Sequence, residues 1–258
     1  MVRVGLVFLL LTVLVTSSRA QGNTSDTFSL LPYSENHLLL RSQFDEVFAP
    51  LIESDVETPE TWQTWSTIEN FTFGKDRGAM TMITDLNALH PYLRDQVQEL
   101  IRLCQAKGIE LAIVETYRTV AKQNEYKSMG KKYTRSVGGL SKHQYGLAID
   151  VVPIIDSVAV WNNIAVWKKI GAVGEKLGLR WGGRWRHPFD PGHFEWTSGL
   201  TGVQIAAGHA PRIPNQDNYP CIEEELDLLK NNWRAWETEQ SAIARIARDT
   251  KKAKASSK

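Results

Sequence analysis

Histidines and carboxylates stand at chemically suggestive spacing in two places. In Ser141-Lys142-His143-Gln144-Tyr145-Gly146-Leu147-Ala148-Ile149-Asp150 a histidine precedes an aspartate by seven residues, and Gly146 allows a bend between them. Leu147 to Val152 is apolar on both faces and β-rich, so it reads as a central strand with Asp150 as its single charge. A lone carboxylate there is expensive unless it is paired or ligates a metal; the bland alternative is an aspartate satisfied within a hydrogen-bond network. In Asp190-Pro191-Gly192-His193, Pro and Gly occupy the two central positions of a turn. Pro presets φ at the first, and Gly supplies the positive φ that a type II turn needs at the second. Such a turn brings Asp190 and His193 together. His193 then opens a strand that shares a face with Glu195.

Two imidazoles and one carboxylate are the usual protein complement of a catalytic zinc, which keeps a further position open for water. His143, Asp150 and His193 supply that set. Asp190 is then the spare carboxylate, placed to take a proton from the attacking water and pass it to a leaving amine. Glu195 is its rival, or a partner that orients a histidine. His187, in the same loop, could replace one of the ligands. In Glu115-Thr116-Tyr117-Arg118-Thr119, where a strand gives way to a helix, Arg118 could aim its fork at a carbonyl and stabilise an oxyanion; an arginine at a strand end is also commonly a surface ion pair. Trp181, Gly182, Gly183 and Trp185 either line a cleft or form a core cluster beneath it.

The elements that must hold these residues are legible from about residue 80 onward. Leu89, Leu93, Val97, Leu100, Ile101 and Cys104 recur at helical spacing, so Tyr92 to Lys107 reads as an amphipathic helix ended by Gly108. Ile109 to Val114 reads as a buried strand. Thr119 to Met129 reads as a helix closed by Gly130, and Val160 to Leu177 as a third closed by Gly178. Leu179 to Trp181 and His193 to Trp196 read as short strands. Helices and strands alternate irregularly over short connections, which points to an α+β domain with a small, mainly antiparallel sheet and packed helices. Beyond Pro220, Ile222, Leu226, Leu229, Trp233, Trp236 and Ile243 form a stripe along one long helix, free to pack on the domain or on a partner helix through 222–246. Lys251 to Lys258 reads as a solvated basic tail.

The chain has 258 residues, 42% of them apolar and 23% charged, with a formal net charge of +1. That balance gives no sign of a nucleic-acid binder. Arg3, the apolar run Val4 to Val15 and Ser18-Arg19-Ala20 read as an export signal cleaved after Ala20, with no stable membrane insertion afterwards. The domain reading is therefore a signal peptide at 1–20, an N-terminal extension at 21–78 containing a helix at Leu38 to Ile52, a zinc domain at 79–212, and a C-terminal helix with basic tail at 213–258. Cys104 and Cys221 are too few for a disulfide scaffold and could form one bridge or none.

Tyr117-Arg118-Thr119 with Gln123, Ser141-x-His143-x-x-Gly146-x-Ala148-x-Asp150, Trp181-Gly182-Gly183 and Asp190-x-x-His193-Phe194-Glu195 together resemble the VanY-like zinc peptidases of peptidoglycan. The resemblance covers about residues 80–200. It implies a small α+β fold shared with the hedgehog signalling domain, one zinc ion on His143, Asp150 and His193, a base at Asp190, a transition-state arginine at Arg118, and substrate contacts from Ser141 and Gln123. Asp190 stands where many relatives have Glu, and the Pro-Gly order before His193 departs from the family's commoner one. The implied substrate is the peptidoglycan stem peptide, cut outside the cytoplasm, in the periplasm or beyond the cell. Gly139 to Gly146 looks more like the L-alanyl-D-glutamate endopeptidase branch, with D-alanyl-D-alanine carboxypeptidase as the alternative. A non-catalytic cell-wall binding module that keeps its zinc is a third reading, against which the retained Asp190 and Arg118 speak.

Overall fold

The computed structural model of the protein describes residues 61–256. The expected export signal and the expected Leu38 to Ile52 helix lie outside the described residues. Among the described residues the strands are β1 (Thr67–Ile68), β2 (Met82–Ile83), β3 (Glu110–Glu115), β4 (Ala148–Ile155), β5 (Val158–Ala159), β6 (Arg180–Trp181) and β7 (His193–Glu195). The helices are α1 (Pro91–Gln105), α2 (Val120–Ser128), α3 (Ile164–Lys176), α4 (Gly202–Ala206) and α5 (Ile222–Ser256). Strands β3-β4-β7-β6 form an antiparallel sheet with β5 paired to β4, and β1 pairs antiparallel with β2. The α+β architecture with a small antiparallel sheet is the one the sequence predicts.

Local chemistry explains the element ends. His90 caps α1 by accepting from the Tyr92 N–H, and Pro91 occupies the first turn, where its missing N–H leaves no helical bond unmade. Leu93, Val97, Leu100 and Cys104 point from α1 into the core over the sheet. Thr119 caps α2 through the Lys122 N–H. The third helix begins at Ile164 rather than Val160, because Asn163 is its cap, accepting from the Val166 N–H. Gly171 and Gly174 give α3 a flat face: a Cβ at either would lie 2.3 Å from Trp181 or 2.4 Å from Phe194.

A second core joins both ends of the described chain. Trp65, Ile83, Ala88 and Tyr117 pack against Leu229, Trp233 and Trp236 of α5. Trp233 stacks on Tyr117 at 4.9 Å and donates from Nε1 to the Ala88 carbonyl at 3.0 Å. Glu237 caps α2 from outside, accepting from the Val120 N–H at 2.8 Å and the Tyr117 hydroxyl at 3.2 Å. Of the two packings open to the apolar stripe of α5, it takes the one on its own domain as far as Trp236. Ile243, beyond it, is half exposed.

Residues 61–78 pack on the domain that follows: β1 pairs with β2 across residue 78, and Trp65 is buried. The helix runs on to Ser256, so most of the expected basic tail is helical. Cys104 is buried in α1 and Cys221 is exposed, and both are free. Replacing Trp233→Ala is expected to destabilise the fold by roughly 3–5 kcal/mol, read as a lowered denaturation midpoint in urea.

Candidate metal centre

The sheet register places the centre. Asp150 on β4 pairs directly with His193 on β7. On its other side Asp150 pairs with Glu115 of β3, through a bulge between Ile113 and Glu115. Without that extra residue Val114 would oppose Asp150; the bulge re-aims the strand so that a carboxylate does. Glu115, Asp150 and His193 therefore form one row across three strands. His143 arrives from the short helical turn Lys142–Tyr145, which Gly146 ends at φ 61°. No larger residue fits there, since a Cβ would lie 2.6 Å from Trp233 and 2.9 Å from the His90 N.

His143, Asp150 and His193 converge as a group able to hold a metal ion. His143 Nε2 lies 3.2 Å from His193 Nδ1 and 3.4 Å from Asp150 Oδ1, and His193 Nδ1 lies 3.1 Å from Asp150 Oδ1. Ligands about 2.0–2.1 Å from a tetrahedral ion stand about 3.3–3.4 Å apart, so this triangle is of zinc dimensions. The far side of each ring is held. His143 Nδ1 donates to the Thr116 carbonyl at 2.7 Å, which leaves Nε2 as the lone-pair nitrogen. His193 Nε2 sits 3.2 Å from Glu195 Oε2, which leaves Nδ1 facing the centre. Glu195 is thus the partner that orients a histidine, and is itself bound by Arg180 at 2.8 Å.

Two arginines hold the outer oxygen of Asp150: Arg77 Nη1 at 3.2 Å and Arg118 Nη2 at 3.4 Å. Arg118 is buried and its fork is taken. Nε and Nη2 bond to Glu115 at 3.0 and 2.5 Å, and Nη1 donates to Gln123 Oε1 at 3.0 Å. The expected fork-to-carbonyl geometry is therefore not what the structure shows; Arg118 is a fixed positive charge in the cleft wall. Gln123, expected at the substrate, is wholly buried behind Arg118 and donates to Thr134 and Ser136, because its position in α2 faces the 134–136 loop. Ser141 does line the cleft.

The cleft of about 440 Å³ is also lined by Lys75, Arg77, Lys132, Arg135, Trp161, Trp185 and Asp190. The Asp190 turn closes as expected, with the His193 N–H donating to the Asp190 carbonyl at 3.2 Å. Its type differs, because Gly192 does not take a positive φ. Gly is needed there for room: a Cβ would lie 2.8 Å from the Val151 carbonyl, and Val151 N–H donates to Gly192 at 2.9 Å. The Asp190 carboxylate makes no hydrogen bond among the described residues. His187 is exposed and lies outside the metal-binding group. Trp185 lines the cleft, with its ring 5.0 Å from that of His193, whereas Trp181 belongs to the core.

Charge follows the geometry. Burial would raise Asp150, but His143, the hydrogen bonds to both histidines and Arg77 hold it well below the usual carboxylate range. Burial and then the Asp150 charge push Asp190 up, as suits a group that exchanges protons. Burial would lower His193, yet its bonds to Asp150 and Glu195 outweigh this and push it up to about 10. Burial and Arg118 hold His143 below its ordinary value. Near pH 7 the metal-free centre therefore carries its proton on His193, and a metal ion must displace it. Zinc uptake is expected to release about one proton, and its apparent affinity to fall about tenfold per unit as pH drops. Calorimetry in buffers of different ionisation enthalpy measures the release, which Glu195→Gln should reduce.

A family model described as D-alanyl-D-alanine carboxypeptidase matches residues 134–196. The peptidoglycan L-alanyl-D-glutamate endopeptidase CwlK of Bacillus subtilis is 31% identical over 121 residues, covering 42% of this chain and 72% of that protein. Among solved structures, the Serratia marcescens L-Ala D-Glu endopeptidase ChiX is similar at 28% identity and a TM-score of 0.36, over 44% of this chain and 84% of that one. A zinc-bound variant of the vancomycin resistance D,D-pentapeptidase VanY is similar at 20% identity and a TM-score of 0.31, over 63% of this chain and 89% of that one. By its match to CwlK over most of that protein's length, the chain belongs to the VanY-like family of zinc peptidases.

Proposed function

We propose that this peptidase cuts the bond between L-alanine and D-glutamate in the peptidoglycan stem peptide, after export from the cytoplasm. The observation that carries the reading is the His143–Asp150–His193 triangle beside the unbonded Asp190 carboxylate in an open cleft. The likeness to CwlK supports the choice of bond. Among the described residues no helix is long and apolar enough to cross a membrane. Removal of the D-alanine terminus is the second reading, favoured by the description of the matching family model.

In this reading His143 Nε2, Asp150 Oδ1 and His193 Nδ1 hold the zinc. When bound, the ion supplies Lewis acidity to the scissile carbonyl and lowers the pKa of the attacking water. Asp190, raised by burial and by Asp150, takes the proton from that water and delivers it to the leaving amine. Arg118, locked on Glu115, offers a standing positive charge to the oxygen that becomes negative. Lys75, Lys132 and Arg135 on the cleft wall suit a substrate that carries free carboxylates, as a stem peptide does. Trp185 walls the cleft beside His193.

Digestion of purified peptidoglycan, followed by mass spectrometry of the fragments, decides between the two bonds. Peptides that begin with D-glutamate support the first reading; loss of single D-alanine residues supports the second. Asp190→Asn is expected to lower kcat by about 10²–10⁴-fold with little change in zinc content, and a chelator should abolish cleavage reversibly. An exported protein whose sequenced N-terminus is Gln21 would match cleavage after Ala20.

A further inference from the structure

Arg77 stands on a strap, residues 69–80, outside the 134–196 stretch that the family model matches. The strap is built to hold one position. Asn70 Oδ1 accepts from the Phe71 and Arg77 N–H groups at 2.9 and 2.6 Å, and Asp76 Oδ1 accepts from Gly78 N–H and from Asn70 Nδ2, each at 3.0 Å. Trp161 Nε1 donates to the Phe73 carbonyl at 2.8 Å.

The far end of the strap is gripped by α2. Lys122, only 2% exposed, donates from Nζ to the carbonyls of Arg77 and Met80 and pairs with Glu125 at 2.9 Å. Glu125 Oε1 in turn accepts from the Ala79 N–H at 2.6 Å. Gly78 permits this approach, because a Cβ there would lie 2.5 Å from the Glu125 carboxyl carbon. A buried lysine and a glutamate are thus committed to the loop backbone from Arg77 to Met80. The Arg77 guanidinium passes 5.4 Å over Trp161 and reaches Asp150 Oδ2 at 3.2 Å, while Glu115 is 3.9 Å away.

The two oxygens of Asp150 therefore differ. Oδ1 faces both histidines, and Oδ2 is held from outside. Arg118 is the poorer holder of Oδ2, at 3.4 Å with its fork already on Glu115. We propose that Arg77 is a positioning residue of the metal centre: by tying down Oδ2 it presents Asp150 to the ion through Oδ1 alone. The inference rests on the reading of His143, Asp150 and His193 as the ligands.

The test uses the full chain and two readouts other than activity: zinc affinity by competition with a chromophoric chelator, and the visible spectrum of the cobalt(II)-loaded protein. Arg77→Met keeps the apolar stem over Trp161 and removes the charge. It is expected to weaken zinc binding by about 10–100-fold and to alter the cobalt bands as the carboxylate changes its mode of binding. Arg77→Lys should recover part of both. Loss of a nearby positive charge would by itself tighten cation binding, so parent-like or tighter affinity with an unchanged cobalt spectrum overturns the proposal. If Arg77→Met does not fold, Arg77→Lys decides: weaker affinity with altered bands supports it, and parent values overturn it. Asp150→Asn separates the two levels. If that variant binds zinc like the parent, the ligand reading itself fails; if it loses zinc while both Arg77 variants match the parent, only the role of Arg77 fails.

Discussion

A carboxylate in the middle of a sheet buried on both faces is the constraint around which this molecule is arranged. Asp150 is ionised and nearly inaccessible, and the strand that carries it is otherwise apolar. Removing such a charge from water is tolerable only if every lone pair finds a partner. One oxygen finds the histidines and the other finds the arginines. Those partners bring needs of their own. Arg118 requires Glu115 and Gln123, His143 requires the Thr116 carbonyl, and His193 requires Glu195, which requires Arg180. Each link is a charge or dipole that could not be buried alone. The result is a rigid shell whose inner surface is a triangle of donor atoms.

The parts of this arrangement that repeat along the chain were legible in the sequence. An apolar run with one charge identified β4, and helical periodicity identified α1 and the inner half of α5. The turn before His193 was visible through Pro191 and Gly192, although Gly192 is required by the nearness of the Val151 carbonyl rather than by φ. What escaped was long-range. A bulge at Val114 has no local signature, yet it turns Glu115 toward Asp150. Arg77 looks like one more charge in a polar loop, and its destination 73 residues away is set by tertiary contacts with α2 and Trp161. The motif with Arg118 implies a substrate contact for Gln123; in the folded chain its side-chain oxygen accepts from Arg118.

The family-matched stretch contains His143, Asp150, Asp190 and His193, but not Arg77, Glu115 or Arg118. The donor atoms thus come from one continuous region, and part of their support comes from the region before it. His143 comes from the turn just before β4, Asp150 from β4 itself and His193 from β7, the strand paired with it. Charge compensation has no such economy, since the opposite charges must approach from other directions.

The clasp of Trp62 and Trp65 against Trp236 has a bearing on where this chain could be divided. The boundaries that composition suggests, near residues 78 and 212, would each cut away one half of a single aromatic face and leave the other half in water. A fragment trimmed at either place would keep all three histidine and aspartate donors and still present a sticky apolar surface to its neighbours. That aromatic face is whole only in a span that runs from Trp62 to at least Trp236.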